Sequence, residues 1–369
     1  MATFRSDEAY LDGRHPSNVR YGTPEEDARR RDFTINGLFQ DPLTGEVIDF
    51  VGGRADIQWH VVRSIGDPRK RFGEDKLRLL RCVRFAANLD YLIEPDTFAA
   101  VREMAPEIHV VSAERIRDEL VKIITRPGAG RGLELLTETG LLKEVLPEVD
   151  AMRGVEQPAQ FHPEGDVFTH VKLMLDHLPA NPDVVLALAV LLHDVGKPPT
   201  FQRAPDRIRF NEHDRVGAEM TESILRRLRF PNDTIAQVVT CVAEHMRMQH
   251  VQEMRPAKVK RILQRETFAT ELELHRIDCV SSHGDLGNYH FLKKAATDLP
   301  PEVVKPVPWL TGHDVLALGV TRGPVVGQIL REAEELQLEE RLRSRPEALD
   351  WARARVAELS DSPGATGTG

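Results

Sequence analysis

Two groups of residues in this chain have the types and spacing that chemistry requires. The first is basic: the segment from Arg63 to Arg84 contains eight basic residues against three acidic ones, in a chain whose formal net charge is −9. A local basic field of this kind suits a confined, phosphate-bearing ligand. The second group surrounds His193 and Asp194 and is rich in imidazole and carboxylate side chains, which together suit a divalent metal ion.

The basic group has a regular spacing. Four charged residues recur at every third position of a predicted helix: Asp75, Arg78, Arg81 and Arg84. Guanidinium groups pair in two-point fashion with phosphate oxygens or base edges. Upstream, Asp32 and Asn36 are spaced to contact ribose hydroxyls, and Arg31 to hold a phosphate. We therefore predict a nucleotide site, in preference to a solvated helix face, which would mix charge signs more evenly.

The second group predicts a metal centre. A polar pair, His193 and Asp194, ends an apolar run over residues 186–192, and burying such a pair is costly unless a metal or another partner satisfies it. The predicted ligands are His170, His193, Asp194, His213, His245 and Asp278. Mixed imidazole and carboxylate ligation suits Mn, Ni, Fe, Zn or Mg and does not select among them. Two such ions would activate a water and hold a phosphoester. His162, His177 and His250 are expected to lie outside the site.

The elements that must position these groups change in character along the chain. Short β-branched runs separated by glycine turns fill roughly the first 66 residues, and helical periodicity begins at Pro68. Residues 158–165 are predicted to be a linker, residues 299–308 a stiff connector, and residues 325–342 the helical core of the C-terminal part. The fold class predicted is mainly α, with an α+β head followed by helical segments.

Composition limits the class of protein. An apolar fraction of 41% and a charged fraction of 29% are ordinary for a soluble chain. No apolar run approaches the roughly 20 residues of a membrane span, and the first residues lack the pattern of a signal peptide. Three scattered cysteines suit free thiols in a reducing compartment. We therefore expect a cytoplasmic protein without a membrane partner; whether it forms an oligomer is left open.

The basic segments resemble a known family. The run from Arg30 to Asn36 is similar to the ribose-recognition motif of class II (bacterial-type) CCA tRNA nucleotidyltransferases and poly(A) polymerases, and the run from Glu74 to Arg78 to their base-reading motif. The resemblance implies that Asp75 and Arg78 read the edge of CTP or ATP. It also implies that Arg31, Arg81 and Arg84 contact the nucleotide and its phosphates, that Mg2+ serves nucleotidyl transfer, and that tRNA is the acceptor.

The histidine-rich segment resembles the HD phosphohydrolase superfamily. Within that resemblance His193 and Asp194 are the catalytic pair, Asp194 bridges two ions, and Lys197 contacts phosphate. HD domains joined to this nucleotidyltransferase core are associated with phosphatase, 2′-nucleotidase or 2′,3′-cyclic phosphodiesterase activity. The domains predicted are a partial head (1–66), a nucleotide- and RNA-binding neck (67–157), an HD domain (166–291), a helical tail (306–358) and a disordered end (360–369).

One part of the family pattern is absent from this sequence. The family's glycine-rich turn and its Asp-x-Asp pair, which holds two magnesium ions, have no counterpart here. We therefore expect a truncated, transferase-deficient form of a tRNA nucleotidyltransferase that adds CCA or A. The alternatives are an HD phosphohydrolase acting alone, a poly(A) polymerase, or a non-catalytic RNA-binding protein.

Overall fold

The computed structural model describes residues 5–7, 19–158, 160 and 162–360, and its elements are mainly helical. The prediction of a mainly α fold is confirmed. Apart from Ser360, the end predicted to be disordered lies outside the described residues. Two compact units are present: residues 1–246 with 273–285, and residues 247–272 with 286–369. The domain boundaries that were predicted from the sequence stay a prediction.

The strands are short and form two-stranded pairs. They are β1 (Arg5–Asp7), β2 (Val19–Tyr21), β3 (Leu38–Gln40), β4 (Val47–Asp49), β5 (Val61–Val62), β6 (Leu92–Ile93), β7 (Phe201–Arg203) and β8 (Ile208–Phe210). The pairs β1–β2, β3–β4 and β7–β8 are antiparallel, whereas β5 and β6 are parallel. The predicted neck and HD segments thus contain β6 and the β7–β8 hairpin in addition to their helices.

Helices make up the rest of the framework. The first nine are α1 (Pro24–Arg29), α2 (Gly53–Gln58), α3 (Pro68–Glu74), α4 (Leu77–Leu89), α5 (Pro95–Met104), α6 (Ala113–Ile124), α7 (Ala129–Glu138), α8 (Leu141–Val145) and α9 (Pro147–Asp150). The next seven are α10 (Val167–Asp176), α11 (Val184–Leu192), α12 (Lys197–Thr200), α13 (His213–Arg227), α14 (Asn232–Glu244), α15 (Pro256–Leu263) and α16 (Phe268–Ser281). The last five are α17 (Gly287–Asp298), α18 (Pro301–Val304), α19 (Gly312–Ala317), α20 (Pro324–Leu338) and α21 (Arg345–Ser360). Three segments are 3-10 helical: Thr34–Asn36, Ala105–Val110 and His245–Glu253. Among the described helices, none is long and apolar enough to cross a membrane.

One continuous core in the first unit fixes the helices that carry both predicted sites. Helix α4 packs on α6 and α7, α7 packs on α10, and α10 and α14 pack on α11. Helix α11 is apolar on every side and is buried along almost its whole length, which is typical of a core helix. Because α11 is buried, the two residues that follow it, His193 and Asp194, are delivered into the interior.

Asp75 differs from the sequence prediction. It does not share a helix with the arginines: it has an extended backbone between α3 and α4. Its Oδ1 accepts a hydrogen bond from the backbone N–H of Leu77 (3.0 Å), at the start of α4. A carboxylate next to the unpaired N–H groups of a helix start is favourable. Asp75 therefore lies before α4, and the row of charged residues on this helix begins at Arg78.

Gly196 lies in the turn between α11 and α12 that contains His193 and Asp194. A substitution there tests how tightly this turn is packed. A Cβ there would overlap the carbonyl oxygen of His213 and the backbone nitrogen of Gly217. Since both are backbone atoms, Gly196→Ala is expected to lower the free energy of unfolding by about 1–3 kcal/mol in urea titrations. Gly73→Ala is the control, because a Cβ there meets no atom within 4 Å. Equal effects of the two substitutions would contradict this packing.

Candidate nucleotide cavity and candidate metal centre

A cavity of about 470 Å3 lies between the segment that follows α1 and the first turns of α4. Its lining residues are Arg30, Arg31, Asp32, Asn36, Asp75, Leu77, Arg78, Arg81, Phe85 and Arg115. Ligand cavities usually span about 300–1,000 Å3, so a nucleotide fits this volume. The structure brings six of the predicted nucleotide residues together here, and it does not place Arg84 among them.

The carboxylates of the cavity are already paired with arginines. Arg81 Nε donates to Asp32 Oδ2 (2.7 Å), and Arg115 Nη2 donates to Asp75 Oδ2 (2.8 Å). Asn36 Nδ2 donates to Asp32 Oδ1 (2.9 Å). Burial opposes ionisation of Asp32, but Arg81 and Asn36 outweigh it and lower the pKa of this carboxyl. The donors and acceptors that a nucleotide would use are therefore held in place by one another.

The arginines of this region have different surroundings. Arg78 is buried and donates to Glu74 Oε2 (2.6 Å) and to the backbone oxygen of Arg71 (2.8 Å). Arg31 donates to the backbone oxygen of Asn36 (2.6 Å) and pairs with Asp27.

Arg84 pairs with the buried carboxylate of Glu119 (Nε to Oε2, 3.2 Å). An unpaired buried carboxylate is costly, so the geometry gives Arg84 a structural task.

Arg115 is a cavity residue that the sequence analysis did not select. It comes from α6, forty positions after Asp75, and its guanidinium joins that carboxylate (2.8 Å). The available signal was indirect: a carboxylate in a basic field pairs with an arginine, but nothing in the spacing shows which arginine folds back to it.

The predicted metal ligands also converge. Two groups of potential donor atoms adjoin one another: His170, His193 and Asp278 form one, and Asp194, His213 and His245 form the other. His170 Nε2 is 3.1 Å from Asp278 Oδ1, and His213 Nε2 is 3.2 Å from His245 Nε2. Asp194 Oδ1 lies 3.6 Å from His213 Nε2. The structure thus brings all six predicted ligands together, on α10, α13 and α16 and at the ends of α11 and α14.

The hydrogen bonds of the imidazoles indicate that a cation fits. His213 Nδ1 lies 2.8 Å from the carbonyl of Phe210, and His245 Nδ1 lies 2.6 Å from that of Val242. A carbonyl only accepts, so each Nδ1 carries the proton and each neutral ring turns its Nε2 lone pair inward. Two lone pairs 3.2 Å apart repel unless a cation lies near both. The donor set therefore matches a metal centre.

Charges around Asp194 keep its carboxylate ionised. Burial opposes ionisation of Asp194, yet His193 and Lys197 hold the pKa of this carboxyl well below its ordinary value. Lys197 Nζ lies 2.7 Å from Asp194 Oδ2 and donates to Gln157 Oε1 (2.6 Å). Burial, followed by His193, lowers the pKa of His245 to about 4. Lys197 is thus one of the groups that balance the charge of the Asp194 carboxylate.

Three site residues escaped the sequence analysis, and all lie in the segment predicted to be a linker or next to it. Gln157 contacts Lys197, and Glu164 Oε1 lies 2.6 Å from His170 Nδ1. His162, expected outside the site, has its ring centre 4.8 Å from that of His170. His177, by contrast, bonds to Ser281 Oγ (3.0 Å) outside the two ligand groups. An irregular segment has no periodicity from which such contacts could be read.

Family models match three successive parts of the chain. Residues 1–63 match the poly A polymerase head domain, residues 90–153 match the probable RNA and SrmB-binding site of polymerase A, and residues 166–272 match the HD domain. The matches follow the order of the cavity and the metal centre along the chain.

Known proteins resemble most of the chain. It is 36% identical over 331 residues to the A-adding tRNA nucleotidyltransferase of Deinococcus radiodurans, covering 84% of this chain and 74% of that protein. It is 34% identical over 328 residues to the multifunctional CCA protein of Xanthomonas campestris pv. campestris, covering 84% and 77%. The structure of the Bacillus stearothermophilus CCA-adding enzyme in complex with CTP shares the fold, with a TM-score of 0.68 at 24% identity, covering 97% of this chain and 79% of that one.

Proton competition gives the metal centre a defined pH dependence. Burial alone would lower the pKa of His170, but Asp278 and Glu164 raise it to about 9. Below that pH a metal must displace one proton from His170. The pKa values of His213 and His245 are lowered, so both are already neutral at pH 7. We expect Mn2+ affinity to rise about tenfold per pH unit between roughly pH 7 and 8.5.

Isothermal titration calorimetry in buffers of different ionisation enthalpy would measure this dependence and count the protons released. His177→Asn is the control, since His177 bonds to Ser281 outside the ligand groups, and it should keep the same slope. A flat affinity with no proton released would contradict the assignment of His170 as the protonated ligand.

Proposed function

The chain belongs to the family of bacterial-type tRNA nucleotidyltransferases that carry an HD domain, and from this membership we propose that it has two separate sites. One binds CTP or ATP for addition to a tRNA 3′ end, and the other is a metal-dependent phosphoesterase. The observation that carries the first assignment is that Asp32, Asp75 and Arg78 all line one cavity of nucleotide size.

In the proposed nucleotide site, protein side chains select the base. Asp75 is fixed by Arg115 and by the first turn of α4, so its acceptor geometry is set before a nucleotide arrives. Arg78 is enclosed beside it, and Asp32 with Asn36 offers partners for ribose hydroxyls. Preorganised polar groups in a partly buried cavity discriminate well, because a wrong base leaves them without partners.

The cavity supports recognition of a nucleotide more directly than metal ligation. Each of its two carboxylates, Asp32 and Asp75, already accepts from an arginine. Mg2+ would therefore accompany the triphosphate and the catalytic carboxylates of nucleotidyl transfer, which the lining residues do not supply. CTP and ATP remain equal candidates, and tRNA is the proposed acceptor.

The second site is proposed to hydrolyse phosphoesters at RNA ends, among them 2′,3′-cyclic phosphates. The convergence of imidazole Nε2 atoms beside the ionised Asp194 favours this assignment. The residues that would hold metal are His170, His193, Asp194, His213, His245 and Asp278. The imidazole majority suits Mn, Fe, Ni or Zn better than Mg. A bound divalent ion would supply Lewis acidity and a water of lowered pKa. We propose that Lys197, whose Nζ lies 2.7 Å from Asp194 Oδ2, also contacts a phosphate oxygen of the substrate.

Arg78→Ala tests the nucleotide site. Charge-assisted hydrogen bonds contribute about 1.5–3 kcal/mol, so the affinity for both CTP and ATP should fall about tenfold or more. Equilibrium binding with Mg2+ measures this without requiring turnover. The control is Arg69→Ala on α3, since Arg69 is exposed and pairs with Asp96 and Glu103 away from the cavity. Nucleotide affinity that is unchanged in Arg78→Ala would refute the assignment.

Asp194→Asn tests the phosphoesterase. It keeps the shape of the side chain but removes the charge of the carboxylate that belongs to one ligand group and contacts His193 of the other (3.1 Å). Mn2+-dependent hydrolysis of a 2′,3′-cyclic nucleotide should therefore fall at least about a hundredfold. Asp206→Asn, an exposed change beside the β7–β8 hairpin, is the matched control. Arg78→Ala should leave this hydrolysis intact. Equal loss of hydrolysis in Arg78→Ala would argue against two separate sites.

A further inference from the structure

The four histidines of the metal centre are not held in the same way. Three of them direct Nδ1 at the backbone carbonyl three residues earlier: His193 at Val190 (3.0 Å), His213 at Phe210 (2.8 Å) and His245 at Val242 (2.6 Å). The fourth, His170, directs Nδ1 at a side-chain carboxylate, Glu164 Oε1 (2.6 Å). Only one of these partners, therefore, can be altered by a substitution.

Glu164 lies in an irregular segment, residues 154–166, which we call the strap; its described residues form no helix or strand. The strap is fixed at both ends, because Gly154 N–H donates to Asp166 Oδ2 (2.6 Å) and Val167 N–H donates to the carbonyl of Val155 (3.1 Å). The Glu164 side chain is only 7% exposed. This loop therefore presents its carboxylate at a defined position.

The same carboxylate oxygen holds two imidazoles. Glu164 Oε1 lies 2.6 Å from His170 Nδ1 and 2.9 Å from His162 Nδ1. Burial opposes ionisation of Glu164, but the hydrogen bonds from His170, a backbone N–H and His162 together outweigh it and lower the pKa of the carboxyl. An acceptor on Nδ1 leaves Nε2 of a neutral imidazole as the ligand atom. In His170 that atom faces Asp278 (3.1 Å).

We propose that Glu164 is a positioning residue of the metal centre: its carboxylate fixes the ring orientation and tautomer of His170, and so sets how tightly the site holds metal. The inference rests on the metal centre proposed above. A carboxylate does more than the carbonyls that hold the other three histidines, since its charge also increases the basicity of the ligand. The strap is then a functional part of the site, because one of its side chains contacts a predicted metal ligand.

The test compares Mn2+ affinity in the full chain, wild type and Glu164→Gln, by competition with a chromophoric chelator. Glutamine keeps the size of the side chain and removes its charge, so the affinity should fall about 10–100-fold, while the melting temperature of the metal-free protein changes little. Glu164→Asp keeps the charge on a shorter side chain and should recover part of the lost affinity.

Asp166→Ala separates positioning from mere integrity of the strap. Asp166 Oδ1 caps α10 through Thr169 N–H (2.8 Å) and its Oδ2 holds Gly154. Its backbone oxygen accepts from His170 N–H (3.0 Å), a bond that the substitution retains, and the bond from Val167 N–H to the carbonyl of Val155 still ties the strap. This variant should melt at a lower temperature and keep its Mn2+ affinity within about twofold, since the ligand contact is intact.

Each result has one meaning. Weaker binding in Glu164→Gln together with near-normal binding in Asp166→Ala supports the inference. Normal binding in Glu164→Gln overturns it and leaves the metal centre standing. Equal weakening in both variants also overturns it, because a loosened strap would then suffice. A wild-type chain that binds no Mn2+ overturns the metal centre itself and, with it, this inference.

Discussion

The buried carboxylate of Asp194 is the group on which the arrangement of the metal centre depends. It is almost fully enclosed, and it remains ionised because positive and polar groups from several elements surround it. The chain reaches it with α11, which is apolar on all sides, and closes over it with the ends of α13 and α14. An isolated buried charge would be unfavourable by several kcal/mol. The packing of these helices and the chemistry of the site therefore impose the same requirement, which is that the buried negative charge be compensated.

The nucleotide cavity meets the same requirement in another way. Its carboxylates are neutralised by arginines within the cavity, which is open enough to admit a ligand. A nucleotide that enters this candidate site would exchange existing ion pairs for new ones, so little charge would be left uncompensated at any stage. Such exchange favours selectivity over raw affinity. Arg84 is not among the residues that line the cavity, and it pairs with Glu119 instead.

Local patterns predicted much of this structure. The apolar run before His193 and the helix carrying Arg78 and Arg81 could be predicted because burial and helical spacing leave periodic traces. The histidines and aspartates chosen as metal ligands for their side-chain chemistry do lie together, and their role as ligands stays a prediction. Contacts between positions far apart in the sequence, and contacts made by irregular segments, could not be predicted from such patterns. Arg115 joins Asp75 from forty positions away, and Glu164 and His162 lie in a segment without periodicity. Asp75 was placed on the helix because spacing alone cannot reveal that a carboxylate will accept from the helix start.

The mixed anchoring of the histidines bears on how such a site changes over generations. Three anchors are main-chain carbonyls, which every amino acid supplies alike, so single replacements at Val190, Phe210 or Val242 leave the acceptor in place. The fourth anchor is encoded by one codon, at position 164. Substitutions at this one position can therefore weaken or strengthen the hold on the His170 imidazole. The acceptors of the other three histidines are inherited unchanged.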